Sequence, residues 1–195
     1  MWDGTVKALH EAGYSTLRFD HIGHARSPPP QPEQEPLHMD DIARHMREII
    51  AARGCQGALY AIIGCSIGGI LALRYPMIFP DEVNRVISIC APGAKAPGKA
   101  HTLWSQRIQQ FREDVANGTN NIHHATVDRW FGEGDANEPT KAECSADTAS
   151  SVEELQGIAR EIGTRGAVVM EGAGHLPPMQ QKDEFNKVML DFLQE

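Results

Sequence analysis

The chain has 195 residues, enough to bury a core without disulfides or metal, and its 41% apolar and 23% charged residues match an ordinary globular protein. A formal net charge of −8 argues against a general nucleic-acid binder, whose footprint is basic, and no apolar run reaches membrane-spanning length. The N-terminal residues lack the charged-then-apolar order of a secretory signal, and Cys55, Cys65, Cys90 and Cys144 show no paired spacing, so reduced thiols in the cytoplasm are expected. The His21/His24 and His123-His124 groups lack accompanying carboxylates or cysteines in a ligand pattern, and neither a metal site nor a cofactor is expected.

In chain order, Trp2, Val6 and Leu9 recur at helical spacing and stop at Gly13. Residues 14–20 read as a short strand and 21–27 as a loop. Five prolines between Pro28 and Pro36 exclude helix and central strand there. Asp40 is placed to cap a helix whose apolar face carries Ile42, Met46, Ile49 and Ile50, ended by Gly54 and Gly57. Residues 58–63 and 83–89 are strand-like and flank a helix-compatible stretch. Trp104, Ile108, Phe111 and Val115 lie on one helical face, closed by Asn117-Gly118, and a second helical piece spans about 122–130. Beyond a loop at 132–140, Val152–Ile162 reads as helix, 167–170 as a buried strand and Lys182–Leu193 as the last helix. Strands alternating with amphipathic helices imply a single domain over 1–195, built on a parallel sheet covered on both faces. The strandless block 99–137 interrupts that alternation and reads as an inserted helical lid.

Gly64-Cys65-Ser66-Ile67-Gly68 carries the chemistry. An apolar strand delivers Ser66 into a glycine-flanked turn, and a helix follows, which is the pattern of a nucleophile elbow. A serine hydroxyl is a weak nucleophile near neutral pH and needs an adjacent base, itself oriented by a carboxylate. His175, in the glycine-bearing segment Glu171-Gly172-Ala173-Gly174-His175 after the last strand, has the placement of such a base. Cys65 is adjacent to the elbow serine, but the turn presents its third position, so Cys65 should point into the core.

These segments resemble α/β-hydrolases, and most of all the 3-oxoadipate enol-lactonases and related esterases. Phe19 to Ser27 is similar to the family's F-D-x-x-G-H-G-x-S loop, with Ala25 in place of a glycine. Gly64–Gly69 resembles the elbow, Gly172–His175 the histidine loop, and Trp104, Arg107-Ile108 and Arg129-Trp130-Phe131 the lid. The resemblance implies an α/β-hydrolase fold with a mostly parallel sheet, hydrolysing a carboxylic ester or lactone through an acyl-enzyme on Ser66. It also implies an acid between serine and histidine. Asp147, 28 residues before His175, is preferred to Asp135, which lies 40 residues before it in the Gly-x-x-Asp turn. The Ile67 N–H would supply one oxyanion donor, while Trp104 and Trp130 would touch a small-molecule ester or lactone. No nucleic-acid, membrane or cofactor partner is implied.

Two departures follow from the same resemblance. The chain begins downstream of the family's second oxyanion loop, so the first strands are expected to be missing, and one lost donor typically costs ~10²–10³ in turnover. Glu138–Glu143 is also a poor buried strand before the acid, because Pro139, Lys141 and Glu143 would face a core. The alternative reading is therefore a catalytically impaired remnant, or a ligand-binding member of the same fold.

Overall fold

The computed structural model describes residues 1–31, 36–55, 57–91, 98–131, 156, 160 and 167–195. Its contacts divide the chain into two compact units: Trp2–Ile89 with Asn186–Glu195, and Met1 with Cys90–Phe185. Among the described residues, no helix is long and apolar enough to cross a membrane.

The first unit opens with α1 (Asp3–Glu11), which buries Thr5 and Leu9 and ends ahead of Gly13, whose φ of 89° reverses the chain. α2 (Met39–Ala52) follows. Its N-terminus is held by Asp41, whose carboxylate accepts the His38 N–H at 3.1 Å. Asp40, expected as the cap, sits instead in the first turn, where its carboxylate takes two hydrogen bonds from Arg74 (2.6 and 3.0 Å). A long-range guanidinium thus takes the carboxylate that local sequence offered to the backbone, and holds it below the usual carboxylate range.

β1 (Ile62–Cys65), α3 (Ile67–Ile78) and β2 (Val86–Ile89) form one β-α-β unit, in which β1 and β2 pair in parallel with Ile62 opposite Val86 and Cys65 opposite Ile89. The expected strands at 58–63 and 83–89 are thus shorter and later, preceded by one parallel bridge between Leu59 and Val83. Ile42, Ala43, Met46 and Ile50 of α2 pack with Ile62 of β1 and with Leu71, Ala72 and Tyr75 of α3 as one apolar cluster. At its margin, Arg47 and Tyr75 both hydrogen-bond to Glu82, and the Arg47 guanidinium lies 4.7 Å from the Phe79 ring centre. Burial and then the Glu82 carboxylate push the Tyr75 phenol up to about 12.

The other two expected strands do not form. Residues 14–20 join no sheet. Side chains fasten this stretch instead: Thr16 to His10 at 2.8 Å, Arg18 to Asp3, and Tyr14 against the Tyr60 ring at 5.3 Å. Residues 167–170 are also outside any sheet, with Val168 68% exposed. Alternating apolar residues make a segment suitable for pairing, but a strand exists only where a second backbone meets its N–H and C=O groups. Two strands of the expected four are formed among the described residues.

The second unit holds α4 (Gly98–Asn117), α5 (Asn121–Phe131) and α6 (Pro177–Gln180). The buried Asp114 side chain organises the turn between α4 and α5. It accepts hydrogen bonds from the Thr119 hydroxyl (2.6 Å), the Asn121 amide (3.0 Å) and the Ile122 N–H (2.7 Å). α7 (Lys182–Gln194) begins in this unit and ends in the first, where Met189 and Leu193 are buried. Within 152–162 only Gln156 and Arg160 are described, and both are helical.

Candidate active site

Ser66 occupies the single residue between β1 and α3, with φ 56° and ψ −120°. A non-glycine residue rarely adopts this backbone, at a typical cost of ~1–3 kcal/mol, and surrounding structure must impose it. The imposing contacts are visible. The Ser66 N–H donates to Ile89 O of β2 at 2.8 Å, and its carbonyl accepts from Gly69 N and Ile70 N at 2.9 and 3.1 Å. Ser66 is therefore the end of the parallel ladder and the start of the helix at once.

Gly64 makes the turn possible. A Cβ built there would lie 1.9 Å from Gly68 O and 2.3 Å from Gly68 C, so only glycine lets the strand pass this close to the helix. Gly68 has nothing within 4 Å of such a Cβ and is sterically free. Ile67 and Gly68 precede the first intrahelical bond, and their N–H groups, at the positive end of the helix dipole, donate to no carbonyl among the described residues. The Ile67 side chain is exposed, and Cys65 is buried as expected.

His175 lies in the second unit and is 4% exposed. Its ring stacks on Trp130 of α5, with centroids 5.6 Å apart and planes 22° apart. The loop that carries it is clamped on both sides. Gln180 Oε1 accepts the Leu176 N–H at 3.0 Å, and Gln181 Nε2 donates to Glu171 O at 2.7 Å. Gly174 approaches α5 closely enough that a Cβ would fall 2.7 Å from Trp130 O. The Cys90 thiol faces the Gly174 carbonyl at 3.9 Å, from a backbone with φ 46°.

Of the residues read from sequence, Ser66 and Ile67 adjoin in the elbow, and Trp130 meets His175. Trp104 is exposed on α4, with the Arg107 guanidinium 5.2 Å from its ring centre. Asp147 and Asp135 lie outside the described residues. The two glutamines holding the histidine loop were not foreseen, because polar residues after a Pro-Pro pair carry no periodic signal. Asp20 fixes the loop that follows it by accepting the Ser27 hydroxyl on its carbonyl (2.7 Å) and the Arg26 N–H on its carboxylate (3.4 Å). Ala25, at the position where the resembling family has glycine, takes φ 47°.

The sequence matches the alpha/beta hydrolase fold family over residues 1–141, and the chain belongs to that family. Its fold is similar to an esterase from Exiguobacterium antarcticum (TM-score 0.76, 15% identity, 100% of this chain and 87% of that one). It is also similar to a thermophilic esterase from Thermogutta terrifontis (TM-score 0.71, 17% identity, 99% and 84%). Among curated proteins, a homoserine O-acetyltransferase from Halorubrum lacusprofundi is 36% identical over 58 residues. That match takes in 30% of this chain and 13% of the relative. One from Thermus thermophilus is 31% identical over 62 residues, or 32% of this chain and 16% of the relative.

Proposed function

We propose that the protein is a serine hydrolase of carboxylic esters or lactones. Ser66 Oγ attacks the substrate carbonyl while His175 takes its proton, and the Ile67 N–H donates to the oxyanion that develops. The tetrahedral intermediate collapses, His175 returns the proton to the departing alcohol oxygen, and the acyl group remains on Ser66. Water, deprotonated by His175, then releases the acid and restores the serine. Asp147 is assigned the orienting carboxylate and residues 99–137 the lid. A lactone of a small oxo-acid is the substrate suggested by the resemblance to enol-lactonases. The observation that carries this reading is the strained Ser66 backbone, held between β1 and α3 over a glycine that admits no Cβ.

A second reading is favoured by the matches to homoserine O-acetyltransferases: the acyl-enzyme on Ser66 passes its acyl group to a hydroxyl acceptor instead of water. One assay tests both. Purified protein is given p-nitrophenyl acetate with and without an added alcohol, beside Ser66→Ala and His175→Ala. Hydrolysis is expected to fall at least ~10³-fold in either variant. An acetylated alcohol among the products favours transfer. Unchanged rates in Ser66→Ala would remove the elbow from the chemistry and leave the impaired-remnant reading.

A further inference from the structure

His175 is carried by a loop, and a loop fixes a side chain only as firmly as its own backbone is held. Two adjacent glutamines hold this one, at different distances from the ring. Gln181 works at the outer end. Its Nε2 donates to Glu171 O at 2.7 Å, and a Cβ at Gly172 would stand 3.3 Å from that nitrogen. Gln180 works beside the histidine. Its Oε1 accepts the N–H of Leu176, the residue after His175, at 3.0 Å. Its amide also lies against Gly174, the residue before, where a Cβ would fall 2.8 Å from Nε2 and 3.0 Å from Oε1. One side chain thus touches both chain neighbours of His175. Pro177 and Pro178 have no N–H, so Leu176 offers the only backbone donor from 176 to 178, and Gln180 takes it.

We propose that Gln180 is a positioning residue for His175: by gripping residues 174 and 176 it fixes the backbone that sets the imidazole against the Trp130 ring. Its effect on turnover rests on the serine-hydrolase reading; its effect on the ring does not. A neutral amide suits the task, because it accepts from the backbone without placing a second charge beside the imidazole. A base displaced by ~1 Å loses on the order of 10²-fold in rate, so the loss of Gln180 should register in catalysis more than in stability.

The test compares Gln180→Met with Gln181→Met. Each variant loses one side-chain hydrogen bond to the backbone at similar volume, so a merely structural role would lower the urea midpoint and kcat alike in both. The expected result is a split. With p-nitrophenyl acetate, kcat should fall at least about tenfold in Gln180→Met and no more than about threefold in Gln181→Met, with KM within about twofold of the parent. Gln180→Glu, which keeps an acceptor at this position, should recover kcat to within about threefold. The ring protons of His175, assigned by their absence in His175→Gln, should lose the ring-current shift imposed by Trp130 in Gln180→Met and keep it in Gln180→Glu. Unchanged ring signals in Gln180→Met would overturn the proposal, and so would equal losses of kcat in the two methionine variants. Parent hydrolysis that persists in Ser66→Ala would instead remove the hydrolase reading, and the ring signals alone would then decide whether Gln180 holds the histidine.

Discussion

In α2 and α3 the buried positions are the apolar ones: Ile42, Met46, Ile50, Leu71 and Tyr75 are at most 8% exposed. In α4 the apolar residues Trp104, Ile108, Phe111 and Val115 are between 49% and 67% exposed, while Arg107 and Gln110 are half-buried. α2 and α4 both carry their apolar residues at helical spacing. Periodicity says which residues share a face; which face is covered depends on where the neighbouring element lies. α2 meets β1 and α3 along its apolar face, whereas α4 meets α5 along a polar one.

The largest expected effect separates these two uses of an aromatic residue. Tyr75→Ala, at a side chain 1% exposed and bonded to Glu82, should cost ~4 kcal/mol in urea unfolding. Phe111→Ala on α4 should change stability by no more than ~0.5 kcal/mol. Equal losses would mean that the α4 stripe is covered in solution and would erase the contrast.

A smaller effect is expected within the elbow. Gly64→Ala must move Gly68 O away from a Cβ that would stand 1.9 Å from it, at ~3 kcal/mol, and turnover of p-nitrophenyl acetate in the assay proposed above should fall with it. Gly68→Ala meets nothing within 4 Å and should leave unfolding midpoint and turnover close to the parent. A tolerated Gly64→Ala would show that the strand-to-helix approach is looser than described.

The elbow was legible because its glycines, serine and flanking apolar run are local, and the geometry they require is local too. Cys65 followed the register in the same way and is buried. Helices were legible to within a few residues wherever the apolar face met a partner. The strands at 14–20 and 167–170 were not, since alternation reports the side chains of a segment and not the presence of a second backbone. Asp40 was misplaced for a related reason: its partner, Arg74, is 34 positions away and invisible to local capping rules. The stack of Trp130 on His175 is likewise a tertiary contact that no local pattern announces.

The smallest expected effect concerns pH. The ring nitrogens of His21 are buried with no hydrogen-bond partner among the described residues, and burial lowers its pKa, outweighing the Ile22 backbone, which acts to raise it, while His24 and His45 add to the fall. Asp20 and His45 line the same small cavity. The unfolded chain therefore binds a proton more readily than the folded one, and stability falls as pH drops below the unfolded value of about 6.5 until the folded-state pKa is passed. Urea midpoints at pH 8 and pH 5 should differ less in His21→Gln than in the parent. An identical pH dependence in the two would assign the effect to other groups.

The central claim, that Ser66 is a reacting group and not an incidental turn residue, is tested most directly by covalent trapping. The full chain is incubated with an alkyl fluorophosphonate, digested, and the modified peptide sequenced by mass spectrometry. The account predicts one phosphonyl adduct on Ser66, lost when Ser66 is replaced by alanine and slowed when His175 is. Labelling at other serines with Ser66 untouched would contradict it.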